Sequence, residues 1–324
     1  MKPGATGSSS SAAVWAALTT VYIVWGSTYL AIRVVIETFP PLLAMSMRWT
    51  GAGLVLFTIA VRRGDRSDRP TARQWRSAAV IGTALCLGGN GVVAVAEHRI
   101  ASGTAALLVA TVPLWVAVFE WARYRARLSR TVVIGLVVGF AGTAILVKPG
   151  ADGAVDAIGA SLVLLAAALW AGGSLYSRRA DLPARPLVAA GMEMICGGIA
   201  CFLAAAIGGE IGRFDAGGLS RSSAIALGYL AVFGSIVAFT SYVWSFRNVP
   251  TSLATTYAYV NPLIAVILGT VIASEALSAA TIVGGLVIVA AVAIIVTATG
   301  GGVRSEEEAP PEARTDLASE QFPA

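Results

Sequence analysis

The chain is 324 residues long, 56% hydrophobic and only 13% charged, with 35 glycines and a formal net charge of +5. Soluble domains carry about 25% charged residues, so about half the usual solvating charge is missing and an ordinary water-soluble enzyme is excluded. A single-span receptor is excluded too, because apolar residues run along almost the whole chain rather than in one stretch.

Apolar runs long enough to cross a ~30 Å hydrocarbon layer, at about 20 residues each, are predicted at 14–33, 42–61, 77–96, 103–122, 131–148, 157–177, 187–208, 222–245, 252–273 and 279–298. The first follows Lys2 as a signal peptide would. It continues through Trp25 and Tyr29 without a small-residue cleavage site, however, and reads as a retained span. Residues 1–12 have little apolar surface to bury. The same holds for 299–324, where Glu306, Glu307 and Glu308 precede Pro310 and Pro311. Both segments are expected to be disordered cytoplasmic tails.

The connecting segments alternate in charge. Residues 62–76 hold six arginines, 123–130 four and 178–185 three; with Lys2, Arg247, Arg304 and Arg314 they put seventeen of the twenty-three basic residues on one side. Arg33, Arg99, Lys148, Arg213 and Arg221 lie opposite, and Arg48 lies inside a span. The positive-inside rule then places both termini of this multi-pass chain in the cytoplasm. The basic excess is a matter of topology, and no nucleic-acid partner is expected. Cys86, Cys196 and Cys201 are odd in number and fall in apolar runs, so no disulfide framework is expected.

The chain repeats itself. A shift of 149 residues pairs Ala105 with Ala254, Pro113 with Pro262, Leu114 with Leu263, Ser129 with Ser278 and Gly135 with Gly284. A shift of 145 pairs Trp25 with Trp170 and Arg48 with Glu193. The fold expected is all-α, with ten transmembrane helices in two five-span repeats, 13–148 and 157–298, joined by a periplasmic linker at 149–156. Five is odd, so the halves enter from opposite faces, an inverted-topology arrangement found in secondary transporters. A duplicated scaffold without a pathway is the alternative.

The runs Trp25 to Tyr29 (WGSTY), Met47 to Trp49 (MRW) and Ala254 to Pro262 (ATTYAYVNP) resemble the drug/metabolite transporter superfamily in its EamA-type ten-span form. Gly91–Pro113, with Ala96-Glu97-His98-Arg99 inside it, and Gly234–Glu275 resemble the YedA-type bacterial inner-membrane branch. The resemblance covers Trp15 to Val296 through the order and spacing of its motifs. It implies a 5+5 bundle that exports or exchanges small metabolites, with amino acids, drugs, sugars and nucleotide-sugars all open as substrates. Many members carry a glutamate before both the fifth and the tenth span. Here Glu275 holds the second position and Ala126 stands at the first.

An ionisable group near the bilayer centre costs at least ~2.5–3.5 kcal/mol on insertion scales, so Arg48 and Glu193 each need a partner or a function. Arg48 is expected to hold an anionic group of a substrate with its planar fork, and Glu193 to accept a cationic group or a coupling proton. An Arg48–Glu193 ion pair locking the halves, or a protonated Glu193 against backbone carbonyls, are the structural alternatives. His98, the one histidine, is a candidate gate at the outer mouth or else an interfacial residue with Glu97 and Arg99. Arg33 and Glu37 read as interfacial, and Glu120 as snorkelling or locally paired.

Trp25, Tyr29, Trp115, Trp170, Tyr176, Tyr242, Trp244, Tyr257 and Tyr259 offer cavity walls or interfacial belts. Trp25, Tyr257 and Asn261 fall within the resembling motifs and join Arg48, Glu193 and Asn90 as the predicted substrate site. Asn90 sits among Gly88, Gly89 and Gly91, where a ligand or close helix packing explains the glycines; Gly135 and Gly139 have GxxxG spacing. Pro113 and Pro262 are candidate hinges.

One histidine and three scattered cysteines supply neither a zinc site nor a catalytic dyad, and no GxxxxGK[ST] is present for ATP. No enzyme, metal or cofactor is therefore expected. The expected partners are a small-molecule substrate, the lipid bilayer and protons, with a homodimer left open. The function expected is secondary active export of a small amino-acid-like or amphiphilic metabolite by alternating access with proton coupling. A lipid flippase or scramblase and an uptake permease of the same fold are the alternatives.

Overall fold

The structure, a computed structural model, describes residues 11–63, 69–124, 129–147, 155–248, 253 and 256–307. Its helices follow the predicted runs closely: α1 (Ser11–Val35), α2 (Pro41–Arg62), α3 (Ala72–Ala96), α4 (Ser102–Arg123), α5 (Arg130–Val147), α6 (Ala157–Ser177), α7 (Pro186–Ile207), α8 (Arg221–Ser245), α9 (Tyr257–Ala273) and α10 (Ala279–Glu307). Eight of these are long and apolar enough to cross a membrane; α5 and α9 are apolar but shorter. No strand occurs among the described residues. Large apolar side chains face outward along the bundle, Val137, Ile207 and Val271 among them, as a lipid-facing surface requires.

The largest differences from expectation are at three boundaries. α3 starts at Ala72 rather than 77, and α9 is described from Tyr257, the predicted start at 252 lying outside the described residues. α10 continues to Glu307, so the segment read as a disordered tail from 299 is helical at its start; 1–10 and 308–324 lie outside the described residues.

Helix starts are set locally. Thr71 and Gln74 form a reciprocal capping box at α3, Asp156 accepts from Gly159 N–H at α6, and Ser220 from Ser223 N–H at α8. Pro41 and Pro186 open α2 and α7, where a missing N–H costs nothing.

Packing is closest where side chains are smallest. α2 lies along α7 and α5 along α10. At the first contact, a Cβ on Gly53 would sit 2.8 Å from Ile195 N, and one on Gly191 2.8 Å from Phe57 N. At the second, Gly135 meets Ile295 and Gly142 meets Gly284 O, so the glycine spacing marks a close helix contact there. α1 packs against α8 and α9, and α6 against α3 and α4.

Three helices are irregular. α3 widens to a π-helix over Thr83–Gly91 and α8 over Leu230–Val237. α4 breaks between Val109 and Val112. Pro113 explains the break, since its ring cannot donate to the Val109 carbonyl and crowds it. Repeat-equivalent Pro262 stays inside an unbroken α9, so the expected pair of hinges reduces to one interruption.

Glu275, in the α9–α10 connection, accepts hydrogen bonds from Ser102 N–H at 2.7 Å and Gly103 N–H at 3.1 Å. Its carboxylate thus caps α4, where orphan N–H groups and the helix dipole favour negative charge. Ser274, at φ 54°, bends the chain to deliver it. We expect Glu275→Ala to lower stability by about 1–2 kcal/mol in thermal unfolding, with Glu275→Gln losing less.

Candidate functional site

Three of the predicted residues meet between α1, α8 and α9. The Trp25 ring lies 5.0 Å from Tyr242 and 5.3 Å, edge-on, from Tyr257. Tyr242 and Tyr257 are themselves 5.6 Å apart and edge-on. Gly26 lets α1 approach α9 at Ile264 and Asn261, one turn beyond Tyr257. Asn261 is buried, and its amide oxygen has no hydrogen-bond partner. A buried acceptor left unpaired costs about 1–3 kcal/mol, so a donor brought by a ligand would be held there.

The π segment of α8 ties this cluster to Arg48. Trp25 donates its indole N–H to Gly234 O at 3.1 Å, and Arg48 donates Nε–H to Ser235 Oγ at 3.0 Å. Ser235 in turn donates to Leu230 O. Arg48 is 2% exposed, lies 4.2 Å from the Trp49 ring centroid and contacts Met45 Sδ. The guanidinium is therefore packed away rather than open to a cavity.

Glu193 stands elsewhere, on the face of α7 turned toward α3, α8 and the 178–185 connection. It lines a cleft of about 260 Å³ with Ser177, Leu182, Pro186 and Phe239. Neither Arg48 nor any other described residue pairs with it. The Arg48–Glu193 lock weighed as an alternative does not form: Arg48 is turned to Ser235 of α8, and Cys86 of α3 is in range of both residues. Phe239 lies 6.1 Å from Tyr242, so the end of the Glu193 cleft adjoins the aromatic cluster.

Other candidates are dispersed. Asn90 lies in the π segment of α3, which packs on α6 and α7; Gly88 meets Leu169 and Gly89 meets Trp170, so those glycines serve helix contact. His98 is exposed in the turn after α3. Desolvation, and then the Arg33 charge, push its proton affinity below the ordinary histidine value, partly countered by Glu210. Glu97, in the same turn, is 0% exposed. Glu120 pairs locally with Arg178 at 2.9 Å. The Trp115 ring lies tilted against Phe119 and edge-on to Phe140, apart from the cluster. The three cysteines are free thiols, and no group of three or more His, Cys, Asp or Glu is placed to hold a metal among the described residues.

Sequence reasoning missed Ser235, Gly234 and Phe239. The spacing of Phe239 and Tyr242 on one helix face was available as a signal. The π segments that present Gly234 and Ser235 have no simple sequence mark.

The sequence model of the EamA-like transporter family matches residues 11–148 and again 157–297. The "Uncharacterized inner membrane transporter YedA" of Escherichia coli (strain K12) is 40% identical over 266 residues, 82% of this chain and 84% of that one. A relative from Streptantibioticus cattleyicolor, the "Probable terminal-alkyne amino-acid exporter", is 26% identical over 85% of this chain and 90% of its own. A solved crystal structure at 21% identity superposes with a TM-score of 0.59, covering 87% of this chain and 96% of that one, and shares the fold.

Proposed function

Because the chain belongs to the EamA-like transporter family, matched twice along its length, we propose that it carries a small amino-acid-like or amphiphilic metabolite outward. It does so by alternating access, coupled to protons through Glu193. The observation that carries this reading is the Glu193 carboxylate, mid-helix, without an ion-pair or hydrogen-bond partner among the described residues, lining a cleft of about 260 Å³. Small-ligand pockets start near 300 Å³, so the volume suits a molecule of amino-acid size. An ionised carboxylate at this depth is costly, and a bound proton or a cationic substrate group removes that cost.

Two inverted five-helix halves are supported by the double family match, by the close α2–α7 and α5–α10 contacts, and by the exchange of α1 against α8 and α9 for α6 against α3 and α4. The π segments of α3 and α8 fall in corresponding helices. Basic loops at 62–76 and 178–185 support cytoplasmic termini, and the E. coli relative's name supports an inner-membrane setting. In that orientation the Glu193 cleft opens to the cytoplasm, where an exporter loads. His98 then stands at the outer mouth, its proton affinity lowered by desolvation and by the Arg33 charge. The named activity of the Streptantibioticus relative supports an amino-acid-like substrate and outward direction.

The test is transport by the purified full chain in sealed vesicles, with an imposed pH gradient and a panel of radiolabelled amino acids, sugars and fluorescent lipids. Gradient-driven movement of at least one amino acid is the expected result. Movement of the lipid probe alone would replace this reading with a flippase.

A further inference from the structure

At the end of the bundle away from the Glu193 cleft, three connections converge. They are the end of α1 with Arg33, the α3–α4 turn from Glu97 to Ser102, and the α9–α10 connection with Glu275. Glu97 is 0% exposed, and neither of its carboxylate oxygens has a hydrogen-bond partner. The Ser102 hydroxyl, also 0% exposed, is unpartnered too. Arg33 is bonded to Glu97, yet to its backbone carbonyl oxygen and not its carboxylate. Glu275, the nearest other acid, has its charge committed to two N–H groups of α4.

An ionised carboxylate so buried and unpaired costs several kcal/mol, whereas the protonated acid costs far less. We propose that Glu97 is a proton-binding site at this end of the bundle, occupied in this arrangement, and that Arg33 moves from the Glu97 carbonyl to its carboxylate when the proton leaves to solvent. The switch would alter how the end of α1 is held to the α3–α4 turn. α1 also carries Trp25, so a change in proton occupancy acts on the helix that walls the aromatic cluster. This site is separate from Glu193, and only its link to transport rests on the functional reading above.

The charged and titratable groups around Glu97 agree with that assignment. Burial raises its proton affinity well above the usual carboxylate range, and Glu275 adds to the rise, while Arg33 on α1 opposes it. Tyr29 of α1 lies in range of the same carboxylate. His98, next in the turn, faces Arg33 and Glu210, and Arg99 is engaged by Asp156 at 3.7 Å. None of these hydrogen-bonds to the carboxylate oxygens.

Infrared difference spectroscopy of the full-length protein, titrated from about pH 5 to about pH 8, tests the proposal. In the Glu193→Gln background, where the second carboxyl cannot contribute, a protonated-carboxyl band persisting above the usual glutamate range is expected, and it is expected to vanish when Glu97→Gln is added. Its midpoint is expected to rise by about one pH unit in Arg33→Gln, a tenfold gain in proton affinity on loss of the neighbouring cation. A band unchanged on adding Glu97→Gln would overturn the assignment. Should that variant fail to assemble, absence of any band in the wild type, or an unmoved midpoint in Arg33→Gln, would overturn it equally. A band lost only in Glu193→Gln would support the functional reading and remove this one.

Discussion

Glu193→Gln is expected to leave the bundle assembled and to cut pH-gradient-driven transport by at least about tenfold, while exchange at equal pH on both sides persists. The carboxamide has nearly the same volume and fills the same space against Phe239, Pro186 and Leu182. It cannot bind or release a proton, so a gradient has nothing to act on at this position. Because Glu193 has no ion-pair partner in the described structure, no charge is orphaned by the change, and the usual penalty for breaking a buried pair is absent. Transport assays at several internal pH values distinguish the roles. If the pH dependence of Glu193→Gln matches the wild type, Glu193 is not the coupling group.

The second large effect is on assembly. Gly82→Ala is expected to destabilise the protein by about 3 kcal/mol, at the upper end of overpacking costs. A Cβ there would run into the Glu193 carbonyl oxygen and come within 2.8 Å of Gly197 N. Both obstacles are backbone, so α3 and α7 must separate rather than a side chain rotate. Separation would also shift the helix turn that carries Glu193. Gly51→Ala is the control, since a Cβ on that residue of α2 meets nothing within 4 Å. It is expected to be neutral or stabilising by about 0.5–1 kcal/mol. Thermal unfolding of both variants checks the contrast; equal melting temperatures would mean that the α3–α7 contact contributes little.

Legibility differed by the kind of interaction involved. Helix existence was readable because a span needs a long apolar run, and such runs are continuous in the sequence; the observed α2, α6 and α7 lie within a residue or so of the runs predicted for them. Trp25, Tyr257 and Asn261 were singled out together and do meet, through α1–α9 packing at Gly26. Arg48 and Glu193 were singled out for the same cost of burial, and the ion pair weighed as an alternative does not form between them. Repeat equivalence fixes neither side-chain direction nor the intervening helix, and α3 with Cys86 stands within range of both. Glu97 was read with His98 and Arg99 as closing the third span, because span ends ordinarily carry such residues. The turn instead directs one of the three inward.

The sequence by itself determined the membrane class, the apolar helices, the alternation of basic loops and the family, because each depends on composition or spacing along one chain. Only the tertiary structure decided that Ser235 rather than Glu193 partners Arg48, that Glu193 lines a cleft with no partner of its own, and that the Glu97 carboxylate is sealed from water. Those outcomes depend on which helix faces approach closely. That is set by glycine contacts and by two π segments that rotate side chains off the regular helical register, and neither is additive along a sequence.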